Sequence, residues 1–241
     1  MITYVVSLNR RLDRRQHLEA QAAREGLCDM RFNTDLGIEV DARGLRLQEL
    51  EGLRLFPWEL PETDNKWWRR PLKLGEIACS LAHLAIWKSI ASSGHDSATV
   101  LEDDVVLGSG FVDAVRRVLD EAQALDPGWD LVYLGRRHWG PDEEIGSALL
   151  VRPGYSACLH GYVLRSTGAN KLIEADILGR MMPVDEFVPA CISRHPRPDI
   201  TKELRPVLSA FACRSDLATQ LPRNEWGSET EATEFVIADP Q

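Results

Sequence analysis

The stretch Ala98-Thr-Val-Leu-Glu-Asp-Asp-Val-Val-Leu107 sets three consecutive carboxylates, Glu102, Asp103 and Asp104, between two apolar runs. The apolar run before the acids predicts a buried strand of an α/β sheet. Burying three unpaired charges is costly, so we expect the carboxylates at the strand end, in contact with solvent or a cation. Ligands of open α/β sheets bind beyond the carboxyl ends of the strands, where oxygen ligands suit Mg²⁺ or Mn²⁺ bound to phosphate. The alternative is an acidic turn with no ligand.

The composition is that of a folded, acidic protein. The chain has 241 residues, 44% hydrophobic and 27% charged, which is enough for one large domain or two small ones. Its net charge of −9 argues against a broad nucleic-acid-binding surface. No apolar run reaches about 18 residues, so no transmembrane helix is predicted. Residues 1–8 are typical of a first strand rather than of a signal peptide.

The five cysteines are scattered through the chain: Cys28, Cys79, Cys158, Cys191 and Cys213. They form no CxxC or CxxxC pair, which argues against a zinc site. Their odd number and wide spacing indicate reduced, mostly buried thiols in a cytosol. We therefore expect a cytoplasmic protein.

The hydrophobic pattern alternates between strands and helices. Strands are predicted at residues 2–8, 30–34, 98–102, 130–135, 148–151, 157–165 and 206–211. One helix is predicted to begin after Asn9 and another after Ser109, with these two residues as N-caps. Two more are predicted, one over residues 75–91 and one that begins at residue 166 or 167. This alternation predicts a largely parallel sheet with helices on both faces.

Two further features lie at predicted strand ends. Arg10, Arg11, Arg14 and Arg15 crowd the start of the first helix, where cations oppose the helix dipole. A bound anion such as a diphosphate would explain them, and the alternative is a solvated basic face. Asp35 follows the second strand and suits either a hydrogen bond to ribose or base, or a simple turn.

Aromatic residues lie beside cations in two segments, residues 64–70 and 136–139. Their tryptophans can form a platform for sugars or bases, and residues 64–70 are equally compatible with a lid packed on the body.

His83 lies beside the apolar stripe of the helix over residues 75–91, where a structural role is more common than ligation. Asp185 and Glu186 begin another helix, where the dipole favours carboxylates. The sharper hypothesis is that one of them is a general base.

Several motifs occur in a fixed order along residues 1–190. They are Val6-Ser-Leu-Asn-Arg-Arg-Leu-Asp-Arg-Arg15, Phe32-Asn-Thr-Asp35, Gly75-Glu-Ile-Ala-Cys-Ser-Leu-Ala-His83, Leu101-Glu-Asp-Asp-Val105, Asp130-Leu-Val-Tyr-Leu-Gly135, His160-Gly-Tyr-Val-Leu-Arg-Ser-Thr-Gly-Ala169 and Pro183-Val-Asp185. In order and spacing the chain resembles glycosyltransferase family 25, which contains bacterial lipooligosaccharide galactosyltransferases and the procollagen galactosyltransferases. The helix that ends in His83 and the acidic strand after it are the most specific part.

The resemblance implies a GT-A-type nucleotide-binding fold with a mostly parallel sheet flanked by helices. It implies one catalytic domain over residues 1–214, with a nucleotide-sugar half over about 1–110 and an acceptor half over 111–214. Residues 215–241 are expected to be a polar tail. The location expected is the cytoplasm, either free or peripheral at the inner face of the membrane.

The implied reaction is an inverting transfer of a hexose, galactose or glucose, from a UDP-sugar to a hydroxyl of a saccharide, lipooligosaccharide, peptide or natural product. Mn²⁺ or Mg²⁺ would assist, and no nucleic acid would be bound. Two alternatives stay open. One is a nucleotide-sugar hydrolase or nucleotidyltransferase on a similar fold, and the other is a non-catalytic nucleotide-sugar-binding protein.

The resemblance also implies roles for individual residues. The metal ligands would be Asp104, Glu102 and His160. The nucleotide sugar would contact Ser7, Asn9, Arg10, Arg14, Asp35, His83, Glu102 and Asp103. Asp185 would be the general base, with Glu186 in reserve.

Overall fold

The computed structural model describes residues 2–236, which form nine strands and seven α-helices. The strands are β1 (Thr3–Val6), β2 (Met30–Phe32), β3 (Ser97–Glu102), β4 (Val105–Leu107), β5 (Leu131–His138), β6 (Leu150–Val151), β7 (Ser156–Arg165), β8 (Ala210–Cys213) and β9 (Ala218–Gln220). The helices are α1 (Leu12–Glu25), α2 (Leu74–Ser92), α3 (Phe111–Leu125), α4 (Ser166–Glu174), α5 (Val184–Ile192), α6 (Pro198–Glu203) and α7 (Arg223–Trp226).

Seven strands form the central sheet, in the order β2-β1-β3-β7-β5-β8-β6. β1 is parallel to β2 and β3, and β5 is parallel to β8. β7 lies between β3 and β5 and is antiparallel to both, and β6 is antiparallel to β8. Five of the seven strands therefore run in one direction. The predicted α/β class and mainly parallel sheet are confirmed, and the arrangement is consistent with a GT-A-like fold.

Each face of the sheet buries its own core, because successive side chains of a strand point to opposite faces. In β3, Val100 faces the core that contains Trp87 of α2 and Phe187 of α5. The next residue, Leu101, faces the core that contains Leu18 of α1. Helices thus cover both faces, as the alternating pattern predicts.

The carboxyl ends of β1 and β3 lie side by side. Val6 pairs with Glu102 in the parallel register, and the Asp103 N–H donates to the Val6 carbonyl at 3.0 Å. The acidic triplet therefore leaves the sheet directly beside Ser7 and the basic start of α1. This register places the two charged motifs of the sequence at one edge.

Several boundaries differ from the predicted ones. β2 ends at Phe32 because Asn33–Leu36 forms a 3-10 helix, in which Asn33 Oδ1 accepts the Ser7 N–H. Asn9 does not cap α1, and its side chain donates to Glu39 instead. Ser109 does not cap α3 either, since Gly110 occupies that position with φ +69°.

The end of β5 also differs, because the strand continues to His138. Arg136 and Arg137 therefore belong to a strand and not to a loop. β8 begins at Ala210, later than the predicted start at residue 206.

The segment predicted to be a polar tail packs on the domain as far as it is described. β9 pairs antiparallel with β4, and α7 follows it. The N–H of Val236 donates to the carbonyl of Leu72 at 2.7 Å. Residues 237–241 lie outside the described residues. The division of the chain near residue 110 stays a prediction.

Within residues 2–236, none of the helices has both the length and the low polarity that a membrane crossing requires.

Gly135 of β5 allows the close approach of β9. A Cβ at this position would overlap the Ala218 carbonyl oxygen and would lie 2.5 Å from His160 Nε2. We expect Gly135→Ala to lower the free energy of unfolding by about 1–3 kcal/mol, as overpacking does, measured by urea denaturation. Gly44→Ala is the control, because its Cβ meets only the Asp41 carbonyl oxygen, at 3.9 Å. Equal stability of the two variants would contradict the packing argument.

Candidate active site

A cavity of about 450 Å³ opens at the carboxyl ends of β1 and β3. Such a volume suits a small-molecule ligand. It brings together most of the predicted site residues: Ser7, Arg10, Arg14, Glu102, Asp103, Asp104, Asp185 and Glu186. The acidic triplet and the arginines at the start of α1, which follow two neighbouring strand ends, therefore meet at one cavity, whereas Asp35 does not reach it.

The three carboxylates of the acidic triplet have different surroundings. Asp103 is buried and accepts a hydrogen bond from Arg14 Nη1 at 3.1 Å. Glu102 accepts a long hydrogen bond from Gln220 Nε2, at 3.3 Å. Asp104 Oδ1 is buried and has no hydrogen-bond partner among residues 2–236. Glu102 and Asp104 thus keep oxygens available for a ligand, although Arg14, which holds Asp103, also lies 3.6 Å from Asp104 Oδ2.

The triplet carries more negative charge than its surroundings offset. Burial, followed by the charges of Asp104 and Asp103, raises the pKa of Glu102 to about 8. Burial is also the main cause that raises the pKa of Asp103, although Arg14 opposes it. A divalent cation near Glu102 and Asp104 would relieve this repulsion, and their free oxygens are the ligand type that Mg²⁺ and Mn²⁺ take.

Asp185 lies in the first turn of α5 and lines the same cavity. Its Oδ1 accepts the backbone N–H of Leu159, in β7, at 3.0 Å. Burial is the main cause that raises the pKa of Asp185 to about 7, with the charge of Glu102 as the next cause. A carboxylate with a pKa near the working pH is suited to general-base catalysis.

Glu186 is engaged by three donors. Trp68 Nε1 donates at 3.1 Å, Tyr155 Oη at 2.7 Å and His195 Nε2 at 2.6 Å. The Arg197 N–H donates to His195 Nδ1, so the ring proton resides on Nε2. Glu186 therefore ties residues 64–70 to α5. This network suits a positioning role, and the role of Glu186 as a base stays a prediction.

Aromatic rings line the outer part of the cavity. Trp139 is 61% exposed and Trp67 is 43% exposed, but the Arg70 guanidinium lies 5.1 Å from the centre of the Trp67 ring and covers one of its faces. Trp68 instead packs inward, 6.0 Å from the His195 ring between centroids. Residues 64–70 thus place one tryptophan against the body and leave the other exposed, and their role as a platform or a lid stays a prediction.

An acidic C-terminal strap, residues 226–231, contacts Arg10 and Arg14, two of the four basic residues among 2–236 that line the cavity, and two further cations beside it. Glu229 forms ion pairs with Arg10 and Arg11. Glu231 pairs with Lys73 at 2.9 Å. The strap carbonyls of residues 226 and 227 also accept hydrogen bonds from Arg14 Nη2, at 3.2 and 2.9 Å. The cations predicted to meet a diphosphate are thus paired with the protein's own acids.

Four predicted site residues do not line the cavity: Asn9, Asp35, His83 and His160. The Asp35 side chain is 57% exposed and pairs with Arg15. Nε2 of the buried His160 lies 3.1 Å from the Ala218 carbonyl oxygen. His83 lies behind the cavity wall, with Nε2 3.8 Å from Glu102 Oε1. Their ligand-binding roles stay predictions.

Sequence reasoning missed other residues of the site: Cys79, Tyr155, His195, Glu229 and Glu231. Cys79 carried a usable signal, because it precedes His83 by one helical turn and so shares its face of α2. The other four come from distant segments. The sequence around each of these four residues carries no pattern that indicates a shared site.

The raised pKa of Asp185 makes stability depend on pH. The folded state retains the proton of this group above pH 4 while the unfolded state loses it, so the unfolding free energy falls as pH rises. We expect Asp185→Asn to match the wild type near pH 4 and to exceed its stability by up to about 4 kcal/mol at pH 8. Urea denaturation with a chelator present measures this. A stability difference between the variant and the wild type that does not change with pH would contradict the raised pKa of Asp185.

Comparison with known proteins identifies the family. The profile of glycosyltransferase family 25 (LPS biosynthesis protein) matches residues 1–145. A "Probable inactive glycosyltransferase 25 family member 3" of Bos taurus is 35% identical over 95% of this chain and 39% of its own length. "Procollagen galactosyltransferase 2" of Homo sapiens is 31% identical over 80% of this chain and 30% of its own length.

A "Glycosyltransferase 25 family member" of Aedes aegypti is 35% identical over 80% of this chain and 31% of its own length. The chain thus spans about a third to two fifths of the length of these relatives. Their names include both a galactosyltransferase and an inactive member. On the family profile and on these identities, the chain belongs to glycosyltransferase family 25.

Proposed function

We propose that the protein is an inverting, metal-dependent glycosyltransferase that moves a hexose, galactose or glucose, from a UDP-sugar to an acceptor hydroxyl. The acceptor would be a saccharide, a lipooligosaccharide, a peptide or a natural product. One observation carries the proposal: Glu102, Asp104 and Asp185 line one cavity and present carboxylates that the fold leaves only partly satisfied. A metal–diphosphate site and a base are the two functions such a reaction needs.

The donor side would be formed by the acidic triplet and the start of α1. Glu102 and Asp104 would hold Mg²⁺ or Mn²⁺, because their oxygens are available. Such a cation, when bound, would supply several kcal/mol of stabilisation to the negative charge that develops on the leaving UDP. Arg10 and Arg14 would contact the diphosphate once the strap has released them.

The acceptor side would be formed by Asp185 and the aromatic residues. Asp185 would take the proton of the acceptor hydroxyl while the new bond to the anomeric carbon forms and the bond to the phosphate oxygen breaks. General-base catalysis of this kind contributes about 10²–10⁴-fold. Trp67 and Trp139 would stack on sugar faces, and residues 64–70 would limit access of water.

The test is a screen of UDP-sugars for UDP release, with and without acceptors, in Mn²⁺, in Mg²⁺ and in a chelator. Transfer that requires both an acceptor and a metal supports the proposal. Free sugar without transfer identifies a hydrolase, and pyrophosphate identifies a nucleotidyltransferase. Failure of every UDP-sugar to bind in the presence of metal overturns the proposal.

A non-catalytic nucleotide-sugar-binding protein is the second candidate. It is favoured by the relatives that are named inactive, at 33–35% identity. Binding without turnover, unchanged in Asp185→Asn, would identify this function. The partly satisfied carboxylates of Glu102, Asp104 and Asp185 favour the catalytic alternative.

Partners and location follow the same proposal. A net charge of −9 fits a protein that does not bind nucleic acid. We expect a cytoplasmic protein with at most peripheral contact at the inner face of a membrane. Fractionation of cells that express the whole protein tests this expectation.

A further inference from the structure

A second group of potential metal ligands lies at the wall of the cavity. Cys79 and His83 are one turn apart on α2, so their side chains share a face of the helix. Glu102, at the end of β3, faces them. A sulfur atom of Cys79, a ring nitrogen of His83 and a carboxylate oxygen of Glu102 all lie within 4.8 Å of one another. A tetrahedral ion at about 2.0–2.3 Å from each atom would place the three atoms about 3.3–3.8 Å apart, so the side chains would close by at most about 1.5 Å to bind it.

The buried ring of His83 supplies an independent indication of a ligand. Its side chain is 0% exposed, yet Nε2 has no hydrogen-bond partner within the described part of the chain. The same Nε2 lies 3.8 Å from Glu102 Oε1. Buried polar nitrogens are normally paired. A cation between Nε2, the thiolate and the carboxylate would satisfy this nitrogen.

The other side of the His83 ring is held as ligand histidines usually are. Nδ1 lies 2.8 Å from Tyr162 Oη, which also accepts a hydrogen bond from Trp87 Nε1 at 2.9 Å. The two lone pairs of the Tyr162 oxygen can accept from both donors. With the proton on Nδ1, the Nε2 lone pair is free toward Cys79 and Glu102. Such outer hydrogen bonds fix the tautomer of metal-binding histidines.

The ligand set selects the class of metal. A thiolate, an imidazole and a carboxylate suit Zn²⁺ and similar borderline ions, whereas Mg²⁺ and Ca²⁺ prefer oxygen ligands. Cys79 and Glu102 both line the cavity, so a fourth position would open toward it. Three protein ligands with one open position are typical of catalytic rather than structural zinc sites.

We propose that Cys79, His83 and Glu102 form a three-ligand site for a divalent transition-metal ion of the Zn²⁺ class, open to the cavity. The site shares Glu102 with the proposed Mg²⁺ or Mn²⁺ pair of Glu102 and Asp104, but it differs in its ligand set, because it uses a sulfur and a nitrogen in place of Asp104. It stands on the geometry of α2 and β3 and does not depend on the proposed transferase activity. The sequence has no closely spaced cysteine pair, which argued against a zinc site. A cysteine and a histidine one helical turn apart can supply two zinc ligands instead.

The experiment is a Co²⁺ titration of the metal-free full chain, followed by absorption spectroscopy. Cobalt replaces zinc in such sites, and a thiolate ligand gives a charge-transfer band in the near ultraviolet. We expect one equivalent of Co²⁺ to produce this band and one equivalent of Zn²⁺ to abolish it. Tyr162→Phe should keep the band but weaken Co²⁺ binding by about 10–100-fold, since it removes the outer partner of His83.

Matched variants identify which sulfur and which nitrogen atom bind the Co²⁺ ion. Cys79→Ser should abolish the band, and His83→Gln should abolish or strongly weaken it. Cys158→Ser is the control, because Cys158 also lines the cavity but is not part of the cluster. Asp104→Asn should leave the band unchanged. Circular dichroism melting confirms that each variant is folded.

Three results would overturn the site. They are no band in the wild type, a band that persists in Cys79→Ser, and a band lost in Cys158→Ser or in Asp104→Asn. If Cys79→Ser does not fold, the Tyr162→Phe and His83→Gln titrations decide, since unchanged Co²⁺ affinity in both refutes ligation by His83. The band is read without a UDP-sugar, so its outcome is independent of the transferase screen.

Discussion

Asp185→Asn is expected to lower the rate of sugar transfer by about 10²–10⁴-fold while leaving the affinity for UDP unchanged. The amide has the shape of the carboxylate, and its oxygen can still accept the Leu159 N–H. It cannot accept a proton from an acceptor hydroxyl. Steady-state UDP release, with kcat and KM determined separately, measures the effect. The loss should appear in kcat.

The pH profile of the wild type gives a second readout of the same residue. Only deprotonated Asp185 can act as a base, and its pKa is raised to about 7. The rate should therefore rise as pH increases through 7 and then level off, and the variant should lose this rise. Glu186→Gln is the neighbouring control. If Glu186→Gln abolishes transfer while Asp185→Asn retains it, Glu186 is the base and the assignment of Asp185 is wrong.

Arg14→Met is expected to lower the free energy of unfolding by about 3–5 kcal/mol, the cost of leaving a buried charge without its partner. The side chains of Arg14 and Asp103 are only 5% and 8% exposed, and they are joined at 3.1 Å. The substitution also removes the donor to the strap carbonyls. Urea denaturation at pH 8 measures the loss.

Two further variants test the cause of that loss. Arg24→Met should change stability by no more than about 0.5 kcal/mol, because the Arg24 side chain is 63% exposed and its contact with Glu25 is long, at 3.5 Å. Asp103→Asn combined with Arg14→Met should recover part of the stability, because the buried negative charge is then absent. A double variant as unstable as the sum of the single ones would contradict the ion-pair argument.

The sheet was predictable from the sequence because its signals are local. The apolar run that ends at Glu102 and the helix over residues 75–91 each carry their own periodicity. The antiparallel direction of β7 was not predictable in this way, since residues 157–165 have the same pattern in either direction. The pairing of β9 with β4 was missed for another reason. Those strands are short and lie far apart in the chain, so only tertiary packing reveals their partnership.

The site was partly predictable because the carboxyl ends of parallel strands meet at one edge. That rule brought the acidic triplet and the start of α1 together. It did not bring Asp35 to the cavity, because β2 ends early and the chain turns into a 3-10 helix that exposes the carboxylate. Glu229 and Glu231 were interpreted as part of a solvated tail, since a run of acids gives no sign of the cations that it contacts.

The acidic strap supplies the cavity with built-in counter-ions. Glu229 and Glu231 neutralise Arg10, Arg11 and Lys73 before any ligand arrives. An anion that reaches these cations exchanges one carboxylate for another negative group and does not fill a vacant positive site. The electrostatic gain on binding is then the difference between two similar interactions. Affinity for an anionic ligand should accordingly depend less on ionic strength than an open cluster of arginines would dictate, and discrimination between anions will rest on shape and metal more than on charge.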